Sequence, residues 1–239
     1  GGDVCCRMID VFSPLALGQR AFISASARSG KTTLIKQIAQ GICANYPYLN
    51  VIVAALCERP EVITDFKRTL VDCELFYTGF DMPAENHLRT LRLAAEYAKR
   101  FPETGEHAII LFDGITRFMQ NCSSEAVARD EINKLLYSAC NAEEGGSLTI
   151  LSTISQDDVN HNAFVGLANM VISLSPELAG QRIFPAIDVK KSFADGEERL
   201  LDPHALKASR KLRSMPFDNV IKIFDETYDN RELIEKYKD

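Results

Sequence analysis

Ala25-Ser26-Ala27-Arg28-Ser29-Gly30-Lys31-Thr32-Thr33 is the stretch whose residue types and spacing best suit chemistry. The apolar run Ala21-Phe22-Ile23 precedes it, and Leu34, Ile35, Ile38, Ala39 and Ile42 follow with helical spacing. Strand, small-residue loop and helix, in that order, form the context of a phosphate-binding loop. Loop amides and the positive end of the helix attract an anion there. Ser29, Gly30, Lys31, Thr32 and Thr33 are the candidate phosphate ligands. Lys31 brings a compact positive charge to the outer phosphates, and the Thr32 hydroxyl can ligate Mg²⁺. Ala25 stands where the general pattern has its first Gly.

Two carboxylates sit where they could serve the same ligand. Asp113 ends the run Ala108-Ile109-Ile110-Leu111-Phe112 and precedes Gly114. There it could hold Mg²⁺ through water, completing the pair begun by Thr32, or cap a helix. Glu58 ends the run Val51 to Cys57. It could orient or deprotonate an attacking water, or pair with Arg59 at the surface. Arg117 follows Asp113 by one helical turn and could sense phosphates or pair with an acidic neighbour. Glu143-Glu144-Gly145-Gly146-Ser147 reads, from its chemistry alone, as a solvated acidic turn.

The elements that must position these groups are legible as short apolar runs. Leu148 to Ile154 and Met170 to Leu174 join the three already described. Unbroken runs suit strands buried on both faces, as in a parallel sheet. Helical stripes lie between them, at Leu88, Leu91, Ala95 and Ala98 and at Ile132, Leu135, Leu136 and Ala139. The alternation predicts an α/β fold with right-handed crossovers and a ligand at the carboxyl ends of the strands. After Leu201 the chain changes character. Ala205 to Arg213 is basic and helix-prone, and Pro216 breaks it. Val220 to Phe224 suits either helix or strand, and Asn230 to Lys238 reads as a charged helix.

With 239 residues, 46% hydrophobic and 25% charged, the chain has an ordinary globular composition and room for one sizeable core. Its net charge of −6 offers no global attraction to nucleic acid. No apolar run approaches the ~20 residues of a membrane span. The seven cysteines show no Cys-x-x-Cys spacing, and the four histidines form no ligand pair, so a reducing compartment and no structural zinc are expected. Cys57 and Cys140 read as small core residues. Gly1-Gly2-Asp3 has no signal-peptide character and no initiator Met, which suits a start at a domain boundary and leaves room for an upstream domain.

Several segments together resemble the ATPase domain of bacterial transcription termination factor Rho. They are Gly18-Gln19-Arg20, Glu58-Arg59-Pro60-Glu61, Phe80-Asp81-Met82-Pro83-Ala84-Glu85-Asn86-His87, Phe112-Asp113-Gly114-Ile115-Thr116-Arg117, Glu143 to Ile150, and Arg182-Ile183-Phe184-Pro185-Ala186-Ile187-Asp188. The resemblance runs from about Arg7 to Leu201. It implies a RecA-like P-loop NTPase with a mainly parallel sheet over 1–201, and a small helical extension over 202–239 packed on the same domain. It further implies ATP and Mg²⁺ as cofactors, ATP at subunit interfaces, a hexameric ring, a cytoplasmic setting and RNA-linked transcription termination. By motif, Glu58 would be the catalytic carboxylate and Asp113 the outer Mg²⁺ ligand. Arg117 would link the phosphate site to the neighbouring subunit, Arg182 would be an interfacial arginine, and Phe184 would stack on adenine. RNA would be met through an additional N-terminal domain.

The chain also departs from the family pattern. Phe118 to Ala142, where Rho carries a long glycine-rich RNA-contacting loop, is short and reads as plain helix. Ser155-Gln156-Asp157-Asp158-Val159-Asn160-His161-Asn162 replaces a lysine-bearing RNA loop and is acidic, which suits a phosphate backbone badly. Asp195 falls about where Rho has its finger arginine. Lys190, Lys191 and Arg199 are the nearby cations. These departures raise a second expectation, a paralogue that binds nucleotide as a switch or assembly module without translocating on RNA.

Overall fold

The structure is a computed structural model, and it describes residues 3–143 and 145–238. Gly1, Gly2 and Glu144, which entered the sequence reading, lie outside the described residues. The strands are β1 (Arg20–Ala25), β2 (Leu49–Glu58), β3 (Glu74–Gly79), β4 (His107–Asp113), β5 (Cys140–Asn141), β6 (Ser147–Ser155), β7 (Met170–Ser173) and β8 (Phe193–Ala194). They form one sheet in the order β3-β2-β4-β6-β1-β7-β8, with β5 alongside β6. The pairs from β3 to β7 are parallel, while β5 and β8 pair antiparallel. The mainly parallel α/β expectation therefore holds.

Side chains of the central strands alternate between two apolar layers, as the pleat requires. Val51, Val53 and Ala55 of β2 face one layer, and Ile52, Ala54 and Leu56 face the other. The first layer is covered by α1 (Val4–Phe12), α2 (Lys31–Asn45) and α3 (Pro60–Thr69). The second is covered by α4 (Ala84–Glu103), α5 (Ile115–Asn121) and α6 (Glu125–Tyr137). Burial on both faces explains why these strands are continuous apolar runs. The short helices α7 (His161–Val165), α8 (Pro176–Gly180) and α9 (Glu197–Leu200) lie in the later connections. The tail forms α10 (Pro203–Arg213), α11 (Phe217–Glu226) and α12 (Asn230–Tyr237). Val220 and Phe224 lie in a helix, which settles the ambiguity at that segment.

The tail is seated on the first helix by a buried cation. The Arg7 guanidinium donates to the carbonyls of Phe224 (2.8 Å) and Thr227 (2.7 Å) and to the Thr227 hydroxyl (2.7 Å). It also lies over the Phe224 ring. A buried guanidinium needs this many acceptors to offset its lost hydration.

Two sequence expectations are corrected. Phe118 to Ala142 is not one plain helix: α5 ends at Asn121, α6 begins at Glu125, and Cys140–Asn141 is strand. Ser124, the residue ahead of α6, is extended (φ −145°, ψ 123°), which interrupts the helical path and lets a new helix begin. Cys140 is exposed on that marginal strand, not a core residue, while Cys57 is buried. Among the described residues no helix is long and apolar enough to cross a membrane.

Candidate nucleotide-binding site

The parallel sheet brings the carboxyl ends of β1, β2, β4 and β6 to one edge. The loop after β1 turns into α2 at Gly30, whose φ of 93° lies in the left-handed region. Only glycine adopts this conformation without strain. A Cβ there would also come 3.7 Å from the Phe184 ring, so the ring stands against the loop. Ser29 is buried, and its hydroxyl has no hydrogen-bond partner among the described residues. A buried orphan hydroxyl is costly unless a ligand completes it, so the cradle fits an anion with acceptor oxygens.

Lys31, the first residue of α2, curls back over the loop. Its Nζ donates to the carbonyls of Ala25 (2.9 Å) and Ser26 (3.3 Å). Burial lowers its pKa, the Asp113 charge opposes that, and Arg117 adds to it. Thr32 donates its hydroxyl to Asp113 Oδ2 at 2.7 Å. Thr33 is exposed on the first turn of the helix.

Asp113 is 1% exposed at the end of β4. Its other oxygen accepts from the Thr153 hydroxyl at 2.8 Å, and Thr153 in turn accepts from the Gly114 amide at 2.7 Å. Burial pushes the Asp113 pKa up, against the Thr32 and Thr153 hydrogen bonds and the Lys31 charge that pull it down. The helix cap that might have explained this position is Gly114, with φ 97°, leaving Asp113 for other work. A hydroxyl and a carboxylate in contact form a hard oxygen pair of the type Mg²⁺ selects.

Glu58 is 1% exposed at the end of β2 and is held by Arg117, not by Arg59. The two guanidinium nitrogens Nη1 and Nη2 of Arg117 donate to its two oxygens, the Nη1 bond being 2.9 Å long. Arg117 also lies 3.6 Å from Asp113. The forked geometry makes this the strongest kind of side-chain ion pair. Lys31, Thr32, Glu58, Asp113 and Arg117 thus lie in one connected cluster.

Phe184 is 52% exposed, so it is not a core residue. Arg182 is exposed, has φ 63°, and makes no ion pair among the described residues. Of the residues singled out from sequence, Phe184 joins the loop and Arg182 stays apart from the carboxylate cluster.

Sequence reasoning missed Thr153 and Gln156. Gln156 follows β6 and accepts from Ser26 Oγ (2.9 Å) in the loop while donating to Leu174 O (3.2 Å) after β7. Thr153 had a signal: a hydroxyl near the carboxyl end of a strand buried on both faces must find a polar partner.

The match to known proteins agrees with this geometry. Residues 5–194 fit the nucleotide-binding domain of the ATP synthase alpha/beta family. Transcription termination factor Rho of Rhodopirellula baltica is 34% identical over 97% of this chain and 51% of that protein. Rho of Aquifex aeolicus is 36% identical over 88% of this chain and 53% of that protein. The chain therefore spans about half the length of these curated relatives. Among solved structures, an ATPase from the type III secretion system of pathogenic bacteria has a TM-score of 0.79 at 22% identity. That match covers 97% of this chain and 82% of the other. The assembled ATPase of the enteropathogenic E. coli type III secretion system, in complex with its central stalk, has a TM-score of 0.75 at 25% identity. There the coverage is 96% of this chain and 57% of the other.

Proposed function

The chain belongs to the ATP synthase alpha/beta family as a Rho-like P-loop ATPase domain, and from that premise we propose that the cluster at the sheet edge binds and hydrolyses ATP with Mg²⁺. The observation that carries the reading is the coupling of Thr32 to Asp113 beside Lys31, with Glu58 within the same cluster.

Each of these residues has a defined task. The amides around Gly30 and the Ser29 hydroxyl take phosphate oxygens, and Lys31 exchanges its bonds to Ala25 O and Ser26 O for the outer phosphates. Thr32 and Asp113 would hold Mg²⁺, which would supply charge neutralisation for the phosphates. Glu58 orients the attacking water and accepts its proton as the γ-phosphoryl bond breaks. For this it must exchange one of its Arg117 hydrogen bonds for the water, so Arg117 governs when the carboxylate is free. The exposed Phe184 ring offers the adenine a stacking face.

Residues 1–201 are assigned to the ATPase domain, and 202–239 to an extension that braces it through Arg7. The exposed Arg182 is assigned to a subunit interface in a hexameric ring, as in the family pattern. Transcription termination linked to RNA, in the cytoplasm, is the activity assigned to the whole protein. RNA engagement is assigned away from the turn after β6, where the Asp157 and Asp158 carboxylates repel a phosphate backbone.

Phosphate release from ATP, with and without Mg²⁺ and with and without RNA, tests the reading. Metal-dependent turnover is expected. Its absence under every condition, in protein that binds ATP, would remove hydrolysis. Turnover that no RNA alters would remove the RNA-linked activity.

A further inference from the structure

Glu58 is delivered to the site by an irregular piece of strand. The register of β2 against β3 shifts between Ala55 and Glu58. Within that bulge Cys57 has a φ of 57°, in the left-handed region that a non-glycine residue holds only where its surroundings enforce it. A bulge also leaves a main-chain group without a ladder partner. Here the Cys57 amide donates to the Thr78 hydroxyl at 3.0 Å, and the Glu58 carbonyl accepts from the Phe80 amide at 3.0 Å. Thr78 Oγ1 lies 2.7 Å from Nδ1 of His87, on the first turns of α4. Thr78 and His87 are each 1% exposed.

Thr78 accepts from the Cys57 amide through one lone pair, and its remaining donor and acceptor sites face Nδ1 of His87, so the hydroxyl is held from both sides. Burial pushes the His87 pKa down, with a hydrogen bond to the Met82 main chain pulling the other way. His87 lies in the Phe80 to His87 motif, to which the nucleotide cluster gives no other task.

We propose that Thr78 and His87 are positioning residues that fix the Cys57 bulge and thereby aim the Glu58 carboxylate at the attacking water. They touch neither the phosphate loop nor Asp113, so they act on the chemical step and not on nucleotide binding. The inference rests on the assignment of Glu58 above.

Thr78→Val keeps the side chain's shape, removes the hydroxyl and strands the Cys57 amide. Misplacing a catalytic group by about 1 Å costs up to ~10²-fold, so a fall in kcat of about tenfold or more is expected. Affinity for a nonhydrolysable ATP analogue should stay within about twofold, and Thr78→Ser should restore most of the rate. The decisive readout is the double variant. Added to Glu58→Gln, Thr78→Val should cost less than about twofold more, because its target is already gone. Equal losses in both backgrounds, a parallel loss of analogue affinity, or unchanged kcat in Thr78→Val would each overturn the proposal. Should Thr78→Val not accumulate as folded protein, His87→Gln takes its place with the same readouts. Failure of the Glu58 assignment shows separately, as full turnover in the Glu58→Gln single variant.

Discussion

At the carboxyl ends of β1, β2 and β4 the ionisable groups are buried and paired with one another, whereas the turn after β6 and the helix α6 keep most of theirs in solvent. Glu58 and Asp113 are each 1% exposed; Arg117 donates to Glu58, and Thr32 and Thr153 donate to Asp113. Across the turn, Asn160 accepts from Arg129 and donates to Glu125 (2.9 Å), and Val159 at the tip is 93% exposed. The turn and α6 are thus tied to each other. Buried charges hold their geometry because breaking one pair strands a desolvated group, while exposed pairs exchange with water at little cost. The first region is built to trade its internal partners for a ligand's. The second is built as a surface.

If this contrast is right, substitutions should rank by region. Glu58→Gln should have the largest effect, slowing single-turnover phosphate release by ~10³-fold with analogue binding preserved. Unaltered turnover would move the catalytic carboxylate elsewhere. Asp113→Asn comes next: the Mg²⁺ dependence of nucleotide affinity should weaken by roughly 10–100-fold while metal-free binding in chelator stays the same. Equal losses with and without metal would make Asp113 a structural group only. Phe184→Ala should lower adenine-nucleotide affinity by about tenfold, in line with ~1–3 kcal/mol for one stacked base, and reduce discrimination against pyrimidine nucleotides. Fluorescence titration with both nucleotide classes measures this. Arg129→Ala should have the smallest effect, costing at most about 1 kcal/mol in denaturant unfolding and changing ATP turnover less than about twofold. A large catalytic defect there would erase the distinction between the regions.

How far sequence reading reached follows the same division. The phosphate loop, Asp113 and Glu58 were legible because each sits at the end of an unbroken apolar run, and a parallel sheet gathers such ends on one edge. Strand β3 was not legible. It lies at the sheet edge, and Glu74 and Tyr77 are exposed within it, so no apolar run marks it. Helix α1 was not legible because its 9 residues fall short of the roughly 11–18-residue window in which helical periodicity stands out. The fork between Arg117 and Glu58 spans 59 residues of sequence and depends on the bulge at Cys57, which no local pattern announces.

The most direct test of the central claim is calorimetric titration of a nonhydrolysable adenine nucleotide into the wild-type chain and Lys31→Ala, each with and without Mg²⁺. The account predicts one site in the wild type, tighter with the metal, and an affinity lower by ~10²-fold or more in the variant. Equal affinities for the two proteins, or no binding by the wild type, would contradict it.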